Sequence, residues 1–202
     1  MNKNFFLIGY SEELVTLSEK AGLKLSGIID LKKKPPYKSL NFYTATQKEL
    51  ESLKIDGVVI GVDDPMKRKH LYDYYKNKKI KILSLYTKKL EPSCSFKDGL
   101  IIQDSAIISC NCNFGKNVKI NMGATVMHDS IIGDFVTIAP SAVILGRVKI
   151  NSYSYIGANS TILPDTVIGK NVIIGAGAVV TKNVPSNTVA RGVPAQFFKK
   201  ID

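Results

Sequence analysis

From Ile102 to Val180 every sixth residue is bulky and apolar: Ile102, Ile108, Phe114, Ile120, Val126, Ile132, Ile138, Ile144, Ile150, Ile156, Ile162, Ile168, Ile174 and Val180. Four residues after each comes a small or β-branched side chain, from Ala106 and Cys112 through Val136, Ala142 and Ser154 to Ala178 and Val184. Neither a 3.6-residue helical repeat nor the two-residue alternation of a strand sustains that register. A parallel β-helix does. Three hexapeptides make one triangular coil, and no coil buries its apolar face until the next stacks on it. The bulky residue fills the prism from a flat side, and the small one fits the tight corner. Gly133, Gly157, Gly169 and Gly175 follow the apolar residue, where a corner needs an unusual dihedral or a close approach.

Before residue 89 the pattern is different. Phe5-Phe-Leu-Ile-Gly9 reads as a buried strand, and the segment from Ser11 to Gly22 reads as a helix capped by Ser11 and stopped by Gly22. Leu25 to Asp30, Asp56 to Gly61 and Ile80 to Leu85 read as further strands. Thr46-x-x-Glu49 is a capping box opening a short helix, and Asp64-Pro65 caps one that runs to Asn77. The basic, proline-containing stretch from Lys32 to Lys38 is a turn. Such alternation predicts an α/β N-terminal domain, residues 1–88, with a small parallel sheet. An all-β domain, residues 89–202, follows it. Ligands on such sheets sit at the carboxyl ends of the strands, here Gly9-Tyr10-Ser11, Asp30 and Gly61.

The formal charge is +11, but the basic residues are scattered and form no nucleic-acid-binding signature. That surplus steers anionic ligands toward the protein. The N-terminal apolar run is too short for a signal segment or membrane span, so a cytoplasmic protein without membrane insertion is expected. Cys94, Cys110 and Cys112 are odd in number and read as reduced thiols. Cys110-x-Cys112 has no further ligands at metal-binding spacing, and the histidines are only His70 and His128, so no metal is expected.

The Ile-Gly-x-x-x-x units, the segment Val126-Met-His128-Asp129-Ser-Ile-Ile-Gly and Gly192-Val-Pro-Ala195 resemble the hexapeptide-repeat acyltransferases. More narrowly, the whole chain resembles bacterial sugar acyltransferases that join a Rossmann-like domain to a left-handed β-helix. That group includes N-acetyltransferases of nucleotide-linked 4-amino-dideoxy sugars and sialic acid O-acetyltransferases. The γ-class carbonic anhydrases share the repeat but need three histidine ligands.

The resemblance implies a homotrimer using acetyl-CoA, with sites in grooves between neighbouring β-helices and a nucleotide sugar reaching in from the N-terminal domain. It assigns His128 as general base and Asp129 as its partner. It places Thr137, Gly146, Ala158, Ala176 and Arg191 at the acetyl donor, Gly146 one full coil after His128. It places Asp30 and Gly61 at the acceptor, beside the strand end that carries Gly9 and Ser11. One departure matters. The family turn after the first strand is glycine-rich and ends in Gly-His, whereas this chain has Gly9-Tyr-Ser-Glu-Glu13, with carboxylates where a diphosphate is expected. The expected reaction is N-acetylation of a 4-amino sugar. O-acetylation of a sialic-acid-like sugar and a non-catalytic trimeric scaffold are the alternatives.

Overall fold

The computed structural model describes residues 3–30, 42–44 and 52–199. The N-terminal part alternates β1 (Phe5–Ile8), α1 (Glu12–Lys20), β2 (Gly27–Asp30), β3 (Phe42–Thr44), β4 (Gly57–Ile60), α2 (Pro65–Asn77) and β5 (Lys81–Ile82). Its five strands are all parallel, in the order β3-β2-β1-β4-β5. The chain order reverses between β1 and β4, which opens a crevice at their carboxyl ends. β3 was not anticipated. The expected helix at Thr46–Glu49 and the turn at Lys32–Lys38 lie outside the described residues.

Local chemistry explains both helices. Ser11 accepts a hydrogen bond from Leu14 N and caps α1, and Gly22, at φ +69°, takes the left-handed position just beyond its end. Asp64 accepts from Lys67 N and Pro65 opens α2. Alternate residues of β1 serve opposite layers. Leu7 packs with Leu14 and Leu17 of α1, while Phe6 and Ile8 pack with Tyr72 and Tyr75 of α2.

From β6 (Ser95–Phe96) to β20 (Val179–Val180), two-residue strands recur every six residues. They stack into a three-sided parallel prism. The first face holds β7 (Ile101–Ile102), β10 (Lys119–Ile120), β13 (Thr137–Ile138), β16 (Tyr155–Ile156) and β19 (Ile173–Ile174). It is extended by β21 (Thr188–Arg191) and the antiparallel β22 (Gln196–Lys199). The second face carries Ile107, Thr125, Val143, Thr161 and Val179 outward, and the third Ser95, Asn113, Ile131, Lys149 and Val167. The six-residue series, from Ile120 and Val126 to Val180, fills the interior. Emptying one such site, as in Ile144→Ala, costs about 2–5 kcal/mol.

Corner geometry differs from expectation in one respect. The left-handed residue of each corner is usually not glycine: Asn111, Asp129, Phe135, Arg147 and Tyr153 all have φ between +57° and +66°. Glycines such as Gly157 serve close approach instead, since a Cβ there would lie 2.5 Å from Ile174 O.

The N-terminal sheet is fastened over the first face by Arg68 of α2. Its fully buried guanidinium donates to Asn117 O (3.0 Å), Val62 O (2.8 Å), Asp63 O (3.1 Å), Thr137 Oγ1 (2.8 Å), Phe135 O (2.9 Å) and Val136 O (3.0 Å). Burial pulls its pKa down to about 10, which still leaves it a cation at neutral pH. From the other side Lys119, also buried, reaches Gly61 O (2.8 Å) and pairs with Asp63 (2.7 Å). Tyr72 OH bonds Asp98 at 2.8 Å and Lys76 pairs with the same carboxylate. Among the described residues no helix is long and apolar enough to cross a membrane.

Candidate active site

The corner between the second and third faces brings His128, Asp129 and Gly146 together. His128 Nδ1 lies 2.7 Å from Asp129 Oδ2, and both side chains are close to half exposed. The other oxygen of Asp129 accepts from Asn111 Nδ2 at 3.0 Å. Hydrogen bonds from His128 and Asn111 hold the Asp129 carboxyl below its ordinary range, so it is ionised at neutral pH. In a neutral imidazole, a proton on Nδ1 satisfies that carboxylate and leaves the lone pair on Nε2.

Gly146 lies one coil above, where any side chain would push the imidazole aside. A Cβ would stand 2.7 Å from both Cε1 and Nε2 of His128. The backbone locks this stacking, since Arg147 N donates to His128 O at 2.9 Å. Among the described residues no backbone carbonyl accepts from Gly146 N, so a donor group stands beside the imidazole. Arg147 is held by a two-pronged pair with Asp165 (2.6 and 2.8 Å). Cys110 is exposed on the coil below, where its carbonyl accepts from Asp129 N (3.1 Å).

The remaining expected donor residues lie elsewhere. Ala158 and Ala176 stack on the corner between the first and second faces, linked by Gly177 N donating to Ala158 O. Arg191 continues that line at the C-terminal end, its guanidinium 4.6 Å from the Phe198 ring centroid. Thr137 lies on the first face, beneath the N-terminal layer. It is fully buried, accepting from Arg68 Nη1 and donating to Asp63 O (2.6 Å). Its hydroxyl joins the two layers, bonded on both sides.

Gly9, Ser11, Asp30 and Gly61 do converge at the strand ends. Asp30 accepts from Tyr10 N (2.7 Å), and Gly61 donates to Ile8 O (2.9 Å). Each has a structural duty: Ser11 caps α1, and a Cβ at Gly61 would collide with Leu14 Cδ1 at 2.5 Å. Beside them a cavity of about 360 Å³ is lined by Glu12, Glu13, Lys20, Gln103, Asp104 and Met122. Glu13 is held below its ordinary range by a hydrogen bond to its own backbone and another from Ser11, with Lys119 adding a smaller pull. Arg68, Lys119 and Asn111 were not anticipated. Lys119 and Asn111 were findable by the 18-residue step that links His128 to Gly146, because Asn111 stands that distance before Asp129. Arg68 carries no such signal.

Residues 111–146 and 147–182 each match the bacterial transferase hexapeptide (six repeats) family. Among solved structures, a histidine-to-alanine mutant of GDP-perosamine N-acetyltransferase from Caulobacter crescentus, in complex with CoA and GDP-perosamine, has a TM-score of 0.91. Identity is 19%, over 99% of this chain and 99% of that chain. The acetyltransferase domain of PglB from Neisseria gonorrhoeae FA1090, in complex with acetyl coenzyme A, gives 0.79 at 23% identity over 97% and 99%. WeeI from Acinetobacter baumannii AYE gives 0.78 at 24% identity over 98% and 100%. The likeness is one of fold and covers both layers of the molecule. No curated protein sequence matches the chain.

Proposed function

We propose that this protein is an acetyl-CoA-dependent N-acetyltransferase acting on the 4-amino group of a nucleotide-linked deoxyamino sugar, for bacterial surface-glycan synthesis. Residues 1–88 form a Rossmann-like acceptor domain and residues 89–202 a left-handed β-helix, in a cytoplasmic homotrimer. The observation that carries the reading is the His128–Asp129 dyad with Gly146 fitted against it. The fold match to the perosamine enzyme along the full length supports the choice of acceptor.

In this reading the acceptor amine attacks the thioester carbonyl while His128 Nε2 removes its proton. Asp129 keeps the proton on Nδ1 and stabilises the imidazolium. The oxyanion of the tetrahedral intermediate is met by Gly146 N–H. Collapse breaks the carbon–sulfur bond, and the departing CoA thiolate takes the proton back from His128. Amide and free thiol are the products.

Two features support a trimer. The second face is uncharged along its whole outward row, from Ile107 (59% exposed) through Thr125, Val143 and Thr161 to Val179, as a face covered by copies requires. That face also separates the His128 corner from the corner carrying Ala158, Ala176 and the acceptor cavity. A neighbouring copy is what would bring the two corners together, with Arg191 at the end of the same groove.

The acidic cavity favours a second reading. Glu12 and Glu13 in the first turn of α1 oppose a diphosphate there, which favours O-acetylation of a sugar without one. Purified protein with acetyl-CoA is offered GDP-perosamine and, separately, a sialic acid. Thiol release with the amino sugar is expected; release only with the hydroxyl acceptor would overturn the lead.

A further inference from the structure

The 18-residue stack that places Gly146 against His128 also places a ladder of polar side chains along the same corner, one residue later in each coil. Ser93 Oγ accepts from Asn111 N at 3.0 Å. Asn111 Nδ2 donates to Asp129 Oδ1 at 3.0 Å, and Asp129 Oδ2 faces His128 Nδ1 at 2.7 Å. Above, Arg147 is turned onto Asp165 through both its Nε and Nη2.

We infer that Asn111 is a positioning residue for the proposed base: its amide fixes the Asp129 carboxylate in the rotamer that holds His128 Nδ1–H and aims Nε2 at the groove. The inference rests on the acetyltransferase reading. An exposed aspartate otherwise samples several rotamers, and either oxygen could turn to water or to Arg147. Occupying one oxygen with a neutral donor leaves the other for the imidazole. Asn111 adds no charge of its own, so it orients Asp129 without competing for its negative charge. The groups facing the dyad are then Asn111 and Cys110 from below and Arg147 and Asp165 from above.

The test uses two substitutions that both tolerate the left-handed corner at φ +57°. Asn111→Gly removes the donor. Asn111→Asp replaces it with a second carboxylate against Asp129. The chain has only two histidines, so isotope-labelled histidine gives two imidazole signals, assigned with a His70→Gln variant. In the wild type, His128 is expected as the Nδ1–H tautomer. Asn111→Gly weakens that preference and lowers kcat by about tenfold without a matching change in KM for acetyl-CoA. Asn111→Asp raises the His128 titration midpoint, because added negative charge favours the imidazolium, and moves the acid limb of activity the same way. Unchanged tautomer and midpoint in both variants would overturn the inference, whatever the rates. Wild-type protein that transfers acetyl to neither acceptor would overturn the acetyltransferase reading instead, leaving the imidazole measurement to judge Asn111 separately.

Discussion

The His128 corner and the crevice at the strand ends are built in opposite ways. At the corner, backbone register alone stacks Asn111 and Asp129, and His128 and Gly146, and the side chains need only fall into place. At the crevice, Gly61, Val62 and Asp63 are held by Arg68 and Lys119, cations buried between two layers that share no continuous sheet. A solenoid thus supplies a rigid polar corner at no extra cost in polar burial. The strand-end side is fastened by desolvated charges, each of which demands full hydrogen bonding. In the acetyltransferase reading the first region carries the chemistry and the second the choice of substrate.

The largest expected effect tests the corner. His128→Ala removes the proposed base and lowers kcat by about 10²–10⁴-fold, while sedimentation reports the same assembly as wild type. Turnover at the wild-type rate would remove His128 from the mechanism. Arg68→Ala tests the other region. It leaves the carbonyls of Asn117, Phe135 and Val136 without this donor, and loosening the interface costs about 3–5 kcal/mol. Calorimetry should then resolve two transitions, with KM for the acceptor raised more than tenfold and acetyl-CoA affinity within about twofold of wild type. A single transition at the wild-type temperature would show that the layers do not depend on this cation. Next comes Gly146→Ala, which forces the imidazole aside and lowers kcat by about 10²-fold with the melting temperature nearly unchanged.

Acid separates the regions as well. Burial alone would raise the Asp98 pKa, but its bonds with Lys76 and Tyr72 outweigh that and leave it below its ordinary value. A depressed carboxyl contributes stability above its unfolded pKa, near 4, and that contribution is lost as pH falls through the folded value. The docking of α2 should therefore loosen below about pH 4 while the apolar prism persists. Asp98→Asn should flatten that acid dependence, as followed by proteolysis of the N-terminal layer.

The difference in construction also explains what could be read in advance. The prism follows from a count of six, and the Gly146–His128 contact follows from a count of 18, because a repeating backbone converts sequence distance into spatial distance. The same count places Lys119 one coil before Thr137, on the row of Ile101, Tyr155 and Ile173. Lys119 and Thr137 on that row both bond residues of the N-terminal layer, Lys119 at Gly61 and Asp63 and Thr137 at Arg68 and Asp63. Nothing periodic connects Arg68 to Asn117 or Phe135. Their meeting depends on how two unrelated layers dock, which local propensity does not encode. The left-handed corners were hidden for another reason: stacking and ladder bonds hold Phe135 and Tyr153 at positive φ against their own preference.

The smallest expected effect asks whether the upper half of the corner ladder matters. Arg147 is the cation one coil above Asp129, and its two bonds to Asp165 hold it toward that residue. Asp165→Asn loosens that pair and removes a negative charge that acts on the dyad. Both changes disfavour the imidazolium, so the His128 midpoint should fall slightly, opposite in sign to Asn111→Asp. Since exposed pairs are worth about 0–1 kcal/mol, the change in kcat should stay within roughly twofold to fivefold. Opposite shifts from the two sides would establish that the coil stack tunes the imidazole from below and above. A midpoint that moves only with Asn111→Asp would make Arg147–Asp165 a surface pair, and the support of the dyad would come from the lower coils alone.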